Sequence, residues 1–173
     1  MSLLPTRFHA LFTALAMATA LLAPAALAQT PATGAPQQLR GSTLDGKAFD
    51  LQSLRGKVVM VVFWSTDCAV CRDKMPELRA NVKGWMGQPF ELVSVSTDRQ
   101  RSNAVTYTQL VNATVPTNQR FTTLWTGEPQ YRDSFGATGQ LPAAFLLDKG
   151  GQLVEQYHGR IPPEAWDRIA DLL

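Results

Sequence analysis

The chain has 173 residues, a formal net charge of +2 and 45% hydrophobic residues. Its length is that of one globular domain that can bury its own core. The nearly balanced charge gives no reason to expect binding to nucleic acid or to a strongly acidic membrane surface.

Residues 1–28 have the composition of an export leader. Arg7 precedes an apolar stretch, residues 10–23, and Ala26-Leu27-Ala28 supplies the small residues that a signal peptidase reads. The apolar stretch is shorter than the ~20 residues of a membrane-spanning helix. We therefore expect cleavage before Gln29 and a soluble exported protein, with a retained anchor as the alternative.

The leader is followed by a short linker and one domain. Residues 29–38 hold small residues and prolines without an apolar period, which indicates a flexible lead-in. The domain spans residues 39–173. Its first feature is Asp45-Gly46 between apolar positions, which predicts a β-hairpin.

A buried strand and a helix then follow each other directly. Residues 58–64 form a continuous apolar run rich in β-branched residues, which is typical of a strand buried on both faces. Apolar residues at three- and four-residue spacing then predict one face of a helix, made of Cys71, Met75, Leu78, Val82 and Trp85.

Cys68 and Cys71 lie at this junction and are the only cysteines of the chain. The first N–H groups of a helix have no intrahelical partner and its dipole is positive there, so a thiolate is stabilised. We expect Cys68 to be the nucleophile and Cys71 the resolving thiol. A purely structural disulfide across so short a loop would add only about 2 kcal/mol. A structural zinc site needs four ligands, but the chain after the leader offers only the two cysteines and one histidine, His158, so one chain cannot complete such a site.

Further strands and helices alternate along the chain. Residues 90–96 predict a strand, and Asp98 is expected to cap a helix over 99–111. Residues 113–128 predict a short strand with a loop, and residues 129–135 a short helix. This order favours parallel strands with right-handed crossovers.

The C-terminal third predicts a hairpin and a helix. A turn that contains glycine joins the apolar residues 143–147 to residues 153–159, which together predict a β-hairpin. Pro162-Pro163 then opens a final helix that reaches Leu173.

Two motifs resemble the thioredoxin superfamily, and more narrowly its exported TlpA-like, redoxin-type branch. The first is Gly56-Lys57-Val58-Val59, then Phe63-Trp64-Ser65-Thr66, the Cys-x-x-Cys, and Met75-Pro76-Glu77-Leu78; the second is Gly139-Gln140-Leu141-Pro142, then residues 143–148 and Gly151. The resemblance covers residues 39–173. It implies an α/β thioredoxin-like fold with a central mixed β-sheet, flanking helices and an N-terminal β-hairpin extension.

The resemblance also implies a site for the partner polypeptide. Pro142 is expected to be cis and to lie against the cysteines, which leaves the backbone of Leu141 free to pair with a substrate strand. Trp64 is expected to be a further substrate contact. The alternative for Pro142 is an ordinary proline that enters an edge strand.

Three departures from the TlpA-like pattern surround the cysteines. Asp67 stands where a tryptophan often precedes the first cysteine, and Ala69-Val70 replaces a dipeptide that usually contains proline. Lys74 stands where many reductases of this branch carry a glutamate, which leaves the proton relay unassigned. We expect Asp67 to oppose a Cys68 thiolate. Lys74 is interpreted as a solvated side chain or as a cation that favours the thiolate.

The function implied is that of a periplasmic thiol:disulfide oxidoreductase. It would act on protein thiols and disulfides, mainly in the reducing direction, as a monomer with no cofactor or metal beyond the redox-active cysteine pair. A membrane dithiol carrier is the expected electron source. The substrate stays open between cytochrome c biogenesis, copper-centre assembly and repair of protein thiols.

Two other functions remain alternatives. Thiol peroxidases of this fold need a Ser or Thr three residues before the reactive cysteine and a proline seven residues before it; Ser65 meets the first condition, but Val61 fails the second. Copper-binding chaperones of this fold have three residues between their cysteines, whereas this chain has two.

Overall fold

The structure is a computed structural model, and it describes residues 34–173. The predicted leader and the first half of the predicted lead-in lie outside the described residues. Gln37 already contacts the domain, because its backbone N–H donates to the carbonyl of Gly151 over 2.9 Å. None of the helices between residues 34 and 173 is long and apolar enough to cross a bilayer.

The described chain contains eight strands and three α-helices. The strands are β1 Leu39–Ser42, β2 Ala48–Asp50, β3 Val58–Trp64, β4 Phe90–Ser96, β5 Thr122–Trp125, β6 Arg132–Asp133, β7 Ala143–Leu147 and β8 Leu153–His158. The helices are α1 Ala69–Gly84, α2 Arg101–Asn112 and α3 Glu164–Leu172. Short 3-10 turns cover Leu51–Leu54 and Thr117–Gln119.

Five strands form a central mixed sheet in the order β5-β4-β3-β7-β8. β4 runs parallel to β3, and β5 runs parallel to β4. β7 runs antiparallel to β3, and the β7–β8 pair forms the predicted hairpin. All seven residues of β3 are buried, as the apolar run predicts. The predicted mixed sheet with flanking helices is confirmed.

The N-terminal extension is the predicted hairpin, and it has an additional strand. β1 and β2 pair antiparallel around a turn in which Gly46 has a φ of 83°. β6 pairs with the other edge of β1, with Leu39 opposite Asp133. The prediction of a helix over residues 129–135 is therefore wrong: pairing with a strand distant in sequence decides this segment's conformation.

The two faces of β3 pack against different layers. Met60, Val62 and Trp64 lie in one buried cluster together with residues of α1 and α3. Val61 and Phe63 point to the opposite cluster, which includes residues of the N-terminal extension. This alternation follows from the two-residue period of a strand. It also decides which cluster receives Trp64, the last residue of β3 before the cysteine segment.

Candidate active site

Residues 65–68 connect β3 to α1 and are called the active-site turn below. Cys68 has an extended backbone and is the N-cap residue of α1. Its Sγ accepts a hydrogen bond from the backbone N–H of Cys71 over 3.1 Å. The two cysteines form a disulfide, with their Cα atoms 5.2 Å apart.

The two sulfur-bearing residues differ in exposure. Cys68 is partly exposed, whereas Cys71 is only 1% exposed and belongs to the core between β3 and α1. A thiolate must be reached by its target in order to attack it. The geometry therefore suits Cys68 for attack on a large partner and Cys71 for an internal resolving step.

Pro142 lies where β7 begins, next to the end of β3. The Leu141–Pro142 peptide bond is cis, as predicted. The next residue, Ala143, is paired with Phe63 of β3. Neither backbone group of Leu141 forms a hydrogen bond with another residue of the described chain. Their pairing with an added strand of a partner stays a prediction.

A shallow groove of about 220 Å³ runs beside the cysteine pair and is called the side groove below. Its apolar lining comes from Val70, Pro142 and Ile161, and charged side chains border it: Asp73, Lys74, Glu77 and Arg160. Val70 stands between the two cysteines and is 49% exposed. The groove can therefore receive an apolar side chain close to the reactive sulfur.

Asp98 and Arg72 hold the active-site turn from two sides. The Asp98 carboxylate is buried and accepts the Thr66 backbone N–H over 2.9 Å. The Arg72 guanidinium is exposed and donates to the Thr66 carbonyl. The sequence interpretation assigned no role to Arg72 and placed Asp98 on a helix end.

Comparison with known proteins gives the family. Residues 29–163, most of the chain, match the AhpC/TSA family. This chain belongs to the AhpC/TSA family. Thiol-disulfide oxidoreductase ResA of Bacillus thuringiensis (strain Al Hakam) is 28% identical over 116 residues, which cover 67% of this chain and 63% of that relative. ResA of Geobacillus thermodenitrificans (strain NG80-2) is 27% identical over 123 residues, with 71% and 67% covered. The match thus spans less than two thirds of the first of these relatives.

Solved structures of similar fold confirm the thioredoxin-like architecture. A thiol:disulfide interchange protein of the thioredoxin family from Chlorobium tepidum has a TM-score of 0.64 and 25% identity, and the match covers 83% of this chain and 97% of that one. A thiol:disulfide interchange protein DsbE from the same organism has a TM-score of 0.60 and 22% identity, over 78% and 89% of the two chains. The resemblance to TlpA-like redoxins is thereby confirmed.

Trp64 is not on the surface of this AhpC/TSA-family chain. It is 2% exposed, and its ring packs against Tyr107 with 5.0 Å between the ring centroids. Trp64 is therefore too buried for the predicted contact with a substrate, and its side chain packs in the core instead. As the last residue of β3, Trp64 points into the cluster beneath the active-site turn.

The Lys74 side chain is only 16% exposed, and its ammonium is paired with Glu77. Its Nζ lies 2.7 Å from Glu77 Oε1, and Trp166 Nε1 donates to the same oxygen over 3.2 Å. The Lys74 hydrogen bond lowers the pKa of the Glu77 carboxyl, and the Trp166 bond adds to this effect. Lys74 is thus not the free solvated side chain of one interpretation, and its influence on Cys68 stays a prediction.

Asp67 is exposed and directly precedes the reactive cysteine. Its backbone N–H donates to Ser65 Oγ over 3.2 Å. The predicted effect of Asp67 on the Cys68 thiolate stays a prediction.

Asp98 does not cap α2, contrary to the sequence prediction. α2 begins at Arg101, and its N-cap residue Gln100 makes no side-chain capping bond. Asp98 turns instead toward the adjacent strand's end, since Trp64 and Ser96 are directly opposite in the β3–β4 pair. The sequence contained a signal for this contact. Residues that follow the carboxyl ends of two neighbouring parallel strands lie at one edge of the sheet, which would have placed Asp98 close to Ser65 and Thr66.

Proposed function

We propose that this protein is a thiol:disulfide oxidoreductase that exchanges dithiol and disulfide with protein partners. The observation that carries the proposal is the pair itself: a partly exposed Cys68 at the first turn of α1, bonded to a Cys71 that is 1% exposed. The names of the ResA and interchange proteins that this chain resembles support the same reaction class.

The reaction proceeds in two exchange steps. The Cys68 thiolate attacks one sulfur of a partner disulfide, forms a mixed disulfide and releases the partner's other sulfur as a thiolate. The Cys71 thiolate then attacks Cys68 Sγ and releases the first partner sulfur. The Cys68–Cys71 disulfide forms while the partner takes up two electrons and two protons. No cofactor beyond the cysteine pair takes part.

The partner binds across the cis proline and the side groove. The free backbone groups of Leu141 add a short strand of the partner to the site. An apolar partner side chain near its cysteine contacts Val70 and Pro142. Specificity then comes from the charged border of the groove and from the loops around it.

The reducing direction is the one that the surroundings of Cys68 favour. A strongly oxidising pair needs a highly stabilised thiolate. Asp67 brings a negative charge next to the sulfur, and Ala69-Val70 brings no cation between the cysteines. Lys74 is paired with Glu77, which reduces its influence on the sulfur. Arg72 and Arg160 are the other cations nearby, and both are exposed to solvent that screens their charge.

The place of action follows from the leader. Residues 1–28 would direct export to the periplasm, where the protein acts as a monomer, soluble or tethered by an uncleaved leader. A membrane dithiol carrier would return it to the reduced form, because the compartment outside the cytoplasm is oxidising. Cytochrome c biogenesis is one process that would use such a reductant.

The test compares two substrates for the reduced protein. A protein with an accessible disulfide, such as insulin, and hydrogen peroxide are each added, and loss of the Cys68 and Cys71 thiols is followed over time. We expect fast oxidation by the protein disulfide and slow oxidation by peroxide. Fast peroxide consumption with no disulfide exchange would contradict the proposal and favour a thiol peroxidase.

A further inference from the structure

Asp98 is a buried carboxylate that the two exchange steps do not use. It follows the carboxyl end of β4 and is 4% exposed. A buried carboxylate is costly unless hydrogen bonds replace its hydration. Here four donors do so, and three of them belong to Ser65 and Thr66 in the active-site turn.

The bonds to the turn converge on one carboxylate oxygen. Asp98 Oδ1 accepts the Thr66 backbone N–H over 2.9 Å, the Thr66 hydroxyl over 2.6 Å and the Ser65 hydroxyl over 3.1 Å. The other oxygen, Oδ2, accepts the Ser96 hydroxyl over 2.7 Å. The carboxylate thus joins the active-site turn to the end of the neighbouring strand.

Asp98 is itself held firmly. Its backbone N–H donates to Ser96 Oγ over 3.2 Å, and its carbonyl accepts the Trp125 indole N–H over 2.6 Å. Ser96 and Trp125 are the last residues of two adjacent strands, β4 and β5. The carboxylate therefore has a fixed place relative to the central sheet.

The connection continues from the turn to the reactive cysteine. The Ser65 carbonyl accepts the backbone N–H of Cys68 over 3.2 Å. The Ser65 hydroxyl, bound to Asp98, also accepts the backbone N–H of Asp67. Two successive amides before the helix are thereby fixed by the residue that Asp98 holds. The position of Cys68 Sγ relative to the free N–H groups of α1 depends on this turn.

We propose that Asp98 is a positioning residue for the exchange reaction. Its carboxylate fixes the active-site turn so that Cys68 Sγ stays at the start of α1, where the helix amides stabilise the attacking thiolate. The importance of Asp98 for disulfide exchange rests on the proposed function. Its effect on Cys68 itself can be measured without any protein partner.

The test separates hydrogen bonding from charge by comparing two variants. Asp98→Asn and Asp98→Ala both remove the negative charge, but only Asn retains a carbonyl oxygen that can accept from Thr66. The reduced variants are alkylated with iodoacetamide over a range of pH, and Cys68 is identified by peptide mass analysis. Thermal unfolding is recorded for each.

We expect the alkylation midpoint of Cys68 to be about half a pH unit higher in Asp98→Ala than in Asp98→Asn. Disulfide exchange is expected to be about tenfold slower in the Ala variant, because a small displacement of a reacting atom costs this much or more. A control pair, Asp148→Asn and Asp148→Ala, changes a carboxylate that accepts the Gln152 N–H in the β7–β8 turn. The two Asp148 variants are expected to differ from each other in thermal stability but not in the Cys68 midpoint or in the exchange rate.

A second variant covers the case in which Asp98→Ala does not fold. Ser65→Ala/Thr66→Val retains the carboxylate and removes two of its hydroxyl donors. It is expected to raise the Cys68 midpoint above that of the unchanged protein. The proposal is overturned if a folded Asp98→Ala matches Asp98→Asn in midpoint and exchange rate, or if the double variant has the original midpoint.

The outcome distinguishes this inference from the proposed function. If Cys68 alkylation responds to Asp98 as expected but the unchanged protein exchanges no protein disulfide, the positioning role stands and the function fails. If exchange is fast and alkylation is indifferent to Asp98, the function stands and the positioning role fails.

Discussion

The backbone N–H of Cys71 donates to Cys68 Sγ over 3.1 Å, so the sulfur of Cys68 is itself the N-terminal cap of α1. An N-cap acceptor is favoured when it carries negative charge, because the helix dipole is positive at that end. The same bond in the reduced protein would stabilise a Cys68 thiolate. Cys71 lies within the first turn of the helix and is shielded by the core.

The first prediction concerns the order of reactivity of the two thiols. When the reduced protein is treated with iodoacetamide at mildly acidic pH, Cys68 is expected to be labelled well before Cys71. The reason is that Cys68 combines exposure with the cap position. Peptide mass analysis after short reaction times measures this order, and faster labelling of Cys71 would reverse the two roles.

The second prediction concerns the side groove. Val70→Ser removes an apolar contact beside Cys68 without adding charge, so exchange with a protein disulfide is expected to slow severalfold. Exchange with oxidised glutathione, which is too small to need the groove, is expected to change little. Leu110→Ser is the control, since Leu110 of α2 is also exposed, at 67%, and does not line the groove. Equal slowing of both substrates by Val70→Ser would argue against partner binding there.

The third prediction concerns the pair Lys74 and Glu77. Lys74→Gln is expected to raise the pKa of Glu77 toward its ordinary value of 4.5, because the hydrogen-bonded ammonium is the main cause of the lowered pKa. Carboxyl carbon NMR over a pH titration measures the change. A Glu77 pKa that stays low in Lys74→Gln would mean that Trp166 suffices to hold it.

The same pair gives a pH dependence of stability with a defined sign. A carboxyl whose pKa is lowered in the folded protein stabilises the fold above its ordinary pKa, and this contribution is lost as the pH falls through the lowered value. The contribution is at most about 1 kcal/mol, because Glu77 is well exposed to solvent. Urea unfolding should thus separate the original protein from Lys74→Gln at neutral pH and not at pH 2.

The fourth prediction concerns the direction of electron flow. Equilibration with glutathione redox buffers is expected to give a potential well below the −120 mV of strong oxidants. Asp67→Asn is expected to shift it to a more positive value, because a negative charge next to the thiolate is removed. A potential above about −150 mV in the unchanged protein would show that it acts as an oxidant.

Local patterns in the sequence were sufficient to predict the centre of the fold. The apolar run 58–64 predicted a strand buried on both faces, and the change to helical spacing after it placed the cysteines at a junction. Gly46 and the glycines after Asp148 marked two hairpin turns. These signals depend on burial or on backbone conformation, which neighbouring residues largely decide.

Features that depend on contacts distant in sequence were missed. Asp98 fits the local pattern of a helix cap. Its carboxylate instead accepts hydrogen bonds from Ser65 and Thr66, which directly follow the neighbouring parallel strand β3. Trp64 belonged to a recognised motif, and its burial under the active-site turn followed from packing against Tyr107 of α2. β6 has only two residues, too few for a periodic pattern to mark.

The most direct test of the central claim is a trap for the mixed disulfide. The Cys71→Ser variant, in its reduced state, is mixed with a protein that carries one accessible disulfide, and adducts are analysed by intact mass and peptide mapping. We predict a stable adduct linked through Cys68, and none with Cys68→Ser under the same conditions. Failure of Cys71→Ser to form the adduct, or an equal adduct through Cys71 in Cys68→Ser, would contradict the account.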